Sequence, residues 1–383
     1  NDNVLWQKSY GGDNRDEVYD IDAFSNGDLL LTCISNSDAE FDKSEDNIGT
    51  GNDIWLIRID QNGNIVWENS IGGDQNEDWA MSTIDNNDNV YVNITSSSNA
   101  SGDKTENSYG LLDIWLVKIN PSGSVIWDKT IGGSGFDYFG NIIFHNNYLY
   151  LLSKSSSDMN VFKSENAING TDDIWILKLD VNGTILHENT IGSSSVDNAG
   201  LLMFDVNKLI ITGGTSFTAN NDQTVNMSDR GIWMLELDTN LNLMHQKGID
   251  AQLFDYGTGT YLLNPSNYLV LANTTSDAGL DKTDPALGGD DVWAIILSDD
   301  LGVDEMELFS MLNIYPNPTE NIVHISLENQ EAIRQVQVLD MQGKEVLNTT
   351  QSPLNMESFS QGVYLLKVNT KSGNTYTQRI YKK

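Results

Sequence analysis

The sequence has one cysteine, six prolines and four histidines in 383 residues, and it is short of positive charge. With Cys33 alone, no disulfide can form within the chain, so stability has to come from packing. Cys33 lies in the apolar run Leu29-Leu30-Leu31-Thr32-Cys33-Ile34 and reads as a small buried hydrophobe rather than a reactive thiol. No His/Cys metal spacing, Ser/His/Asp arrangement or phosphate loop is recognisable. No apolar run approaches the ~20 residues that a helix needs to cross a bilayer. Lys and Arg number 21 against 55 Asp and Glu, for a net charge of −34. A chain without a basic footprint is unsuited to phosphate backbones, which argues against nucleic acid as a partner.

The charge is unevenly spread. From Met306 onward seven basic residues balance seven acidic ones, whereas the first 305 residues hold 14 against 48. That asymmetry puts a domain boundary near residue 300. The chain opens on Asn1 without Met, as a removed signal peptide or a trimmed start would give.

What the sequence does have is repetition, which governs the fold reading. Trp6 recurs as Trp67, Trp127, His187 and His245, and Trp55 recurs as Trp115, Trp175, Trp233 and Trp293, at a period near 60. A third marker is an acid shortly after a Gly-Gly turn: Asp16, Asp78, Asp137, Asp197 and Asp255. Each unit reads as four short strands; in the second these are 78–84, 89–94, 113–119 and 125–131. Turns such as Gln61-Asn62-Gly63-Asn64 and Pro121-Ser122-Gly123-Ser124 join the third and fourth strands, with Gly and Asn tolerating the backbone of tight hairpins. Four strands per unit at this period fit a β-propeller.

The chain begins with a fourth-type strand, Val4-Leu5-Trp6-Gln7-Lys8-Ser9-Tyr10, and its last unit stops after the third strand, Asp291 to Leu297. Pairing residues 4–10 with that unit yields an all-β fold: a five-bladed β-propeller over 1–300, closed by the N-terminal strand and free of open edges. The long loops 35–52, 95–112, 154–172, 215–230 and 274–290 then share one face, where binding would sit.

Residues 301–310 read as an acidic linker. Beyond it, about seven short strands in residues 311–383 point to a small Ig-like β-sandwich. This segment carries Tyr315-Pro316-Asn317-Pro318, Val338-Leu339-Asp340-Met341-Gln342-Gly343-Lys344, Gly362-Val363-Tyr364-Leu365-Leu366-Lys367-Val368 and a basic end from Arg379 through Lys382 and Lys383. Those pieces resemble the type A C-terminal sorting domain of type IX secretion substrates from Bacteroidetes. The resemblance implies export across the outer membrane to the cell surface or beyond. It names the type IX translocon and its outer-membrane shuttle barrel as partners of 311–383, and a sortase where the tail is removed. Such tails are carried by gliding-motility proteins, adhesins and enzymes alike, so the resemblance leaves the activity open.

Function in a repeat protein is expected where the copies disagree. An acid in every unit reads as a turn acceptor rather than a catalyst. The next position varies as Glu17, Trp79, Tyr138, Asn198 and Tyr256. Trp79, Tyr138 and Tyr256 are therefore the candidates for a sugar-stacking platform, with Glu17 beside them, against the plainer reading that they fill gaps between blades. The segments Asp42-Lys43-Ser44-Glu45, Asp103-Lys104-Thr105-Glu106 and Asp281-Lys282-Thr283-Asp284 cluster oxygens as Ca²⁺ loops do, but they lack EF-hand spacing and read as loop turns; no cofactor is expected, with Ca²⁺ as the alternative. The expectation is a non-enzymatic binding propeller for a glycan or a surface protein such as an adhesin. A glycan-active hydrolase and a structural part of a gliding or adhesion assembly are the alternatives.

Overall fold

The computed structural model describes residues 4–298 apart from 139, 217, 218, 265 and 266, and residues 312–383 apart from 316–318, 328–331, 341–343, 351 and 372–374. The expected linker 301–310 therefore lies outside the described residues. The chain divides into two compact units, residues 1–301 and 302–383, close to the boundary read from charge.

The first unit is built of five antiparallel sheets in chain order. The first holds Asp16–Ala23, Leu29–Ser35, Asp53–Ile59 and Ile65–Ile71; the second holds Glu77–Ile84, Val90–Ser96, Asp113–Ile119 and Val125–Ile131. In the third the opening strand is split into Asp137–Tyr138 and Ile142–His145, followed by Tyr148–Ser155, Asp173–Asp180 and Ile185–Ile191. The fourth holds Asn198–Asp205, Lys208–Ser216, Arg230–Asp238 and Leu243–Ile249. The fifth has three strands among the described residues, Asp255–Asn264, Asn267–Thr274 and Asp291–Ser298. Residues 4–10 take part in no ladder among the described residues, so the expected pairing of this segment with the fifth sheet is left open.

The repeated Asp-Ile-Trp strand is buried on both faces. Ile54 and Leu56 pack against Val90, Val92 and Ile94 of the second sheet, while Trp55 and Ile57 pack with Cys33 on the other side. Burial on two sides explains why this strand reads as a continuous apolar run. The indole N–H, which cannot be left unsatisfied there, donates across to the fourth strand: Trp55 to Glu68 at 2.6 Å, Trp115 to Asp128 at 2.9 Å, Trp175 to Glu188 at 3.0 Å and Trp233 to Gln246 at 3.1 Å.

The Gly-Gly and Asp landmarks belong to one local device. A Cβ on Gly72, Gly132 or Gly192 would stand about 2 Å (1.9 to 2.1 Å) from Oδ1 of Asp53, Asp113 or Asp173, so no side chain fits there. The amide four residues before the repeated acid donates to it: Gly12 to Asp16, Gly73 to Glu77, Gly133 to Asp137, Ser193 to Asp197 and Ala251 to Asp255. This corrects the sequence reading in the second unit, where the acid of the repeat is Glu77 and not Asp78. In the long loops, the buried ammonium of Lys104 donates to the Ser98 carbonyl and that of Lys163 to the Ser157 carbonyl. Lys43 and Lys282 likewise reach the carbonyls of Glu45 and Asp284, so the loop segments carry their own cation.

Among the described residues the second unit comprises two sheets, one of Leu312–Tyr315, Ile322–Leu327 and Leu354–Asn355, the other of Glu345–Thr349, Ile333–Leu339, Gly362–Thr370 and Thr375–Lys382. Val323, Val336, Val338, Leu366, Val368 and Ile380 form its core. The Lys383 amide donates to the Thr319 carbonyl, holding the basic end of the chain in the fold.

The buried carboxylates make the first unit sensitive to pH. Burial raises Asp53 and Asp173 to about 7 and Asp22 and Asp197 to about 6. In the unfolded chain they lose their protons near pH 4. The folded state thus holds more protons between about pH 4 and 7, and stability falls as pH rises through that window. Thermal unfolding should give a lower Tm at pH 8 than at pH 5.5. The difference should shrink in Asp53→Asn/Asp173→Asn, which keeps an acceptor oxygen for the Ile48 and Ile168 amides.

Candidate functional site

The opening strands of the second, third and fourth sheets converge on one cavity of about 410 Å³. Asp78 and Trp79, Tyr138 with Lys154, and Asn198 reach it from these three sheets, and Asn76 and Thr95 complete its polar rim. A second cavity, of about 570 Å³, contains Tyr256 with Arg230 and Asp290, and shares Asn198 and Ala199 with the first. The structure thus brings Trp79 and Tyr138 together and places Tyr256 next door. Glu17 lines neither cavity; it forms an exposed ion pair with Arg15 at 2.6 Å.

Trp79 is held in an unusual state. It is the extra residue of a β-bulge between Asp78 and Ala80, its φ is 57°, and it is 53% exposed. A bulky residue in the left-handed region costs about 1–3 kcal/mol, and bulges re-aim side chains. Here the bulge turns an indole out of the sheet beside Tyr19, with ring centroids 6.3 Å apart. Tyr138 is more enclosed: Phe136 stacks on it at 5.6 Å and the Lys154 ammonium lies 4.6 Å from its ring centre. Lys154 in turn pairs with Asp172 at 3.0 Å, and burial together with that carboxylate raises the phenol pKa. Tyr256 lines the second cavity; its hydroxyl accepts from the Asn273 amide at 2.7 Å and Phe254 stands edge-on to it.

Asp78 is the residue that sequence reasoning passed over. Because Glu77 does the work of the repeat, Asp78 stands in the variable position with Glu17, Tyr138, Asn198 and Tyr256. Its Oδ1 accepts from the Asn52 side chain at 2.7 Å, and it is the one acid among the described residues lining the first cavity. The spacing from the Gly-Gly turn carries the signal, since Glu77 stands four positions after Gly73 just as Asp16 stands four after Gly12.

In the second unit, Tyr364 donates to the Ser360 carbonyl at 2.9 Å and packs edge-on against Phe359. Gly362 and Lys367 lie on the same strand, and Arg379 and Lys382 lie on the strand paired with it. Pro316, Asn317 and Pro318 lie outside the described residues.

If the bulge serves the cavity rather than the fold, Trp79→Gly should keep or raise resistance to urea, because glycine adopts φ 57° without strain. A loss of more than about 1 kcal/mol in the unfolding free energy would mean that the indole is structural.

Residues 313–383 match the secretion system C-terminal sorting domain. No curated protein matches the chain. Among solved structures, a mutant levansucrase of B. megaterium is 9% identical, covering 76% of this chain and 85% of its own, with a TM-score of 0.34. A thermostable family-43 glycoside hydrolase is 14% identical over 75% of this chain and 91% of its own, TM-score 0.36. The Pan2 WD40 domain of Neurospora crassa is 10% identical over 68% and 75%, also with a TM-score of 0.36. The sorting domain at the C-terminus identifies this chain as a type IX secretion substrate, destined for the cell surface or the extracellular space.

Proposed function

We propose that residues 1–300 form a five-bladed β-propeller closed by residues 4–10, that residues 311–383 form an Ig-like β-sandwich, and that the propeller is a binding module for a surface glycan. The observation that carries the ligand reading is the cavity where Trp79 projects from a strained bulge beside Asp78. An exposed indole offers a flat apolar face to a sugar ring, and Asp78, Asn76 and Asn198 offer acceptors and donors to hydroxyls. A glycoside hydrolase would need a second carboxyl group across the cavity from Asp78, and the described residues of its lining supply Asp78 alone. The reading we favour is binding without hydrolysis.

The tail gives the propeller its route. Its partners are the type IX translocon and shuttle barrel, with a sortase acting in 301–310 when the tail is removed. Expressed in a host with that system, a chain lacking residues 306–383 should stay inside the outer membrane, while the full chain reaches the surface or the medium, as fractionation and blotting would show. Equal export of both forms would overturn the role of the tail.

For the ligand, surface glycans of the producing cells and a glycan array are the probes. Trp79→Ala/Tyr138→Ala and Asp78→Asn should each weaken binding about tenfold or more, the loss of roughly 1.4 kcal/mol. Unchanged binding in the double variant would sink the platform.

A further inference from the structure

We infer that the free edge of Asp291–Ser298, together with Thr283 in the loop before it, is a strand-acceptor site whose ligand is residues 4–10 of the same chain, keyed by the side chain of Gln7. This deepens the closed-ring reading proposed above and rests on it.

The key is legible in the other four sheets. The residue after the repeated aromatic or His of each fourth strand accepts two sets of bonds. One comes from the third-strand indole; the other comes from a Ser or Thr in the long loop. Glu68 receives the Ser44 amide and hydroxyl, Asp128 receives the Thr105 amide at 2.9 Å and its hydroxyl at 2.7 Å, and Glu188 receives the Ser164 amide and hydroxyl. Gln246 accepts from the Thr224 amide at 2.9 Å and also donates its own amide to the Asp222 carbonyl at 2.8 Å. In the fifth sheet Trp293 and Thr283 hold the donor positions, and no fourth strand stands beside them among the described residues. Gln7 follows Trp6 as Glu68 follows Trp67. Its carbonyl oxygen suits the Trp293 and Thr283 donors, and its amide suits the Asp281 carbonyl, in the manner of Gln246.

Two further observations fit the same occupant. Residues 6–11 already sit on the first sheet as a preceding fourth strand would. The Trp6 indole donates to the Gln61 carbonyl at 2.9 Å, as Trp67 does to Pro121 at 3.0 Å. The Gly11 amide meets Asp42 Oδ2 at 3.3 Å, as the Gly72 amide meets Asp103 at 3.2 Å. One side of the segment is therefore docked and the other awaits a strand. The flanking faces are also complementary in kind. Val292 is 79% exposed, although its counterpart Ile54 is fully buried against the next sheet. The first sheet offers the matching face, an open cavity of about 540 Å³ lined by Val18, Ile21 and Leu31. Docking of the segment in cis covers both faces and leaves no strand edge at the seam.

The register follows from the complete sheets, where Trp55 stands opposite Ser70, Trp115 opposite Thr130, Trp175 opposite Thr190 and Trp233 opposite Gly248. Trp293 is then opposite Ser9, and Ala294 opposite Lys8. Paired Cα atoms in an antiparallel ladder are about 4.5–5.5 Å apart, within reach of a disulfide. In the full chain, Lys8→Cys/Ala294→Cys should oxidise to an intrachain disulfide, while the shifted pair Gln7→Cys/Ala294→Cys should not. Buried Cys33, its thiol pushed up to about 12, is a poor competitor. Gln7→Ala should lower Tm by about 2–4 °C and Gln7→Glu should restore it. Disulfide-linked dimers would assign the site to a second copy and overturn the proposal. No crosslink in either pair would overturn ring closure itself, and equal crosslinking would overturn the register. A crosslink in the expected pair with Tm unaffected by Gln7→Ala would leave the ring closed but remove Gln7 as its key.

Discussion

The first unit depends on one hydrogen bond repeated from sheet to sheet: the indole N–H of a wholly buried tryptophan donating to an acceptor on the neighbouring strand. Trp55, Trp115, Trp175 and Trp233 are fully or almost fully buried. An indole in that setting contributes a large apolar area, but its N–H has to find a partner or the burial becomes unfavourable. The acceptor is supplied one strand away, and the same acceptor also draws in the Ser or Thr of the long loop. A single carboxylate or amide thus joins two strands and a loop. The loops are therefore part of the sheet's polar network rather than additions to it.

That coupling explains how a domain with a single cysteine and a net charge of −34 can keep long loops in place. Each loop contributes a side chain, Lys104 or Lys163 for example, whose ammonium is buried against backbone carbonyls near the carboxylates of Asp113 or Asp173. The Gly-Gly turn lets a buried Asp lie against bare backbone, where any Cβ would collide. The indole N–H groups and the loop ammonium groups find their partners on residues that also pack the sheet, so these residues recur. The cavity residues answer no such demand and vary from copy to copy.

The repeat period, the strand boundaries at Asp113–Ile119 and Val125–Ile131, the five long loops and the change of unit near residue 300 were all legible in the sequence. They are local: apolar alternation, turn residues and charge counts report them directly. The site was half legible. Trp79 and Tyr138 do share a cavity, yet Glu17 lies apart from it, and Asp78 was mistaken for a repeat acid because Glu77 does the same work with a side chain one methylene longer. A type-for-type comparison of letters cannot see that equivalence, whereas the hydrogen bond from the Gly73 amide does.

The sequence by itself determined the all-β class, the units and the secretion tail, because these rest on periodicity and on contiguous motifs. Only the tertiary structure decided which residues meet. The bulge that turns Trp79 outward is a register shift between two strands, and no single strand records it. The covering of Tyr138 by Phe136 and Lys154 joins a short opening strand to the strand after it. The state of residues 4–10 belongs here too. Their letters match a fourth strand, but a β-ladder is a relation between two segments distant in the chain, and the structure shows these residues docked on the first sheet alone.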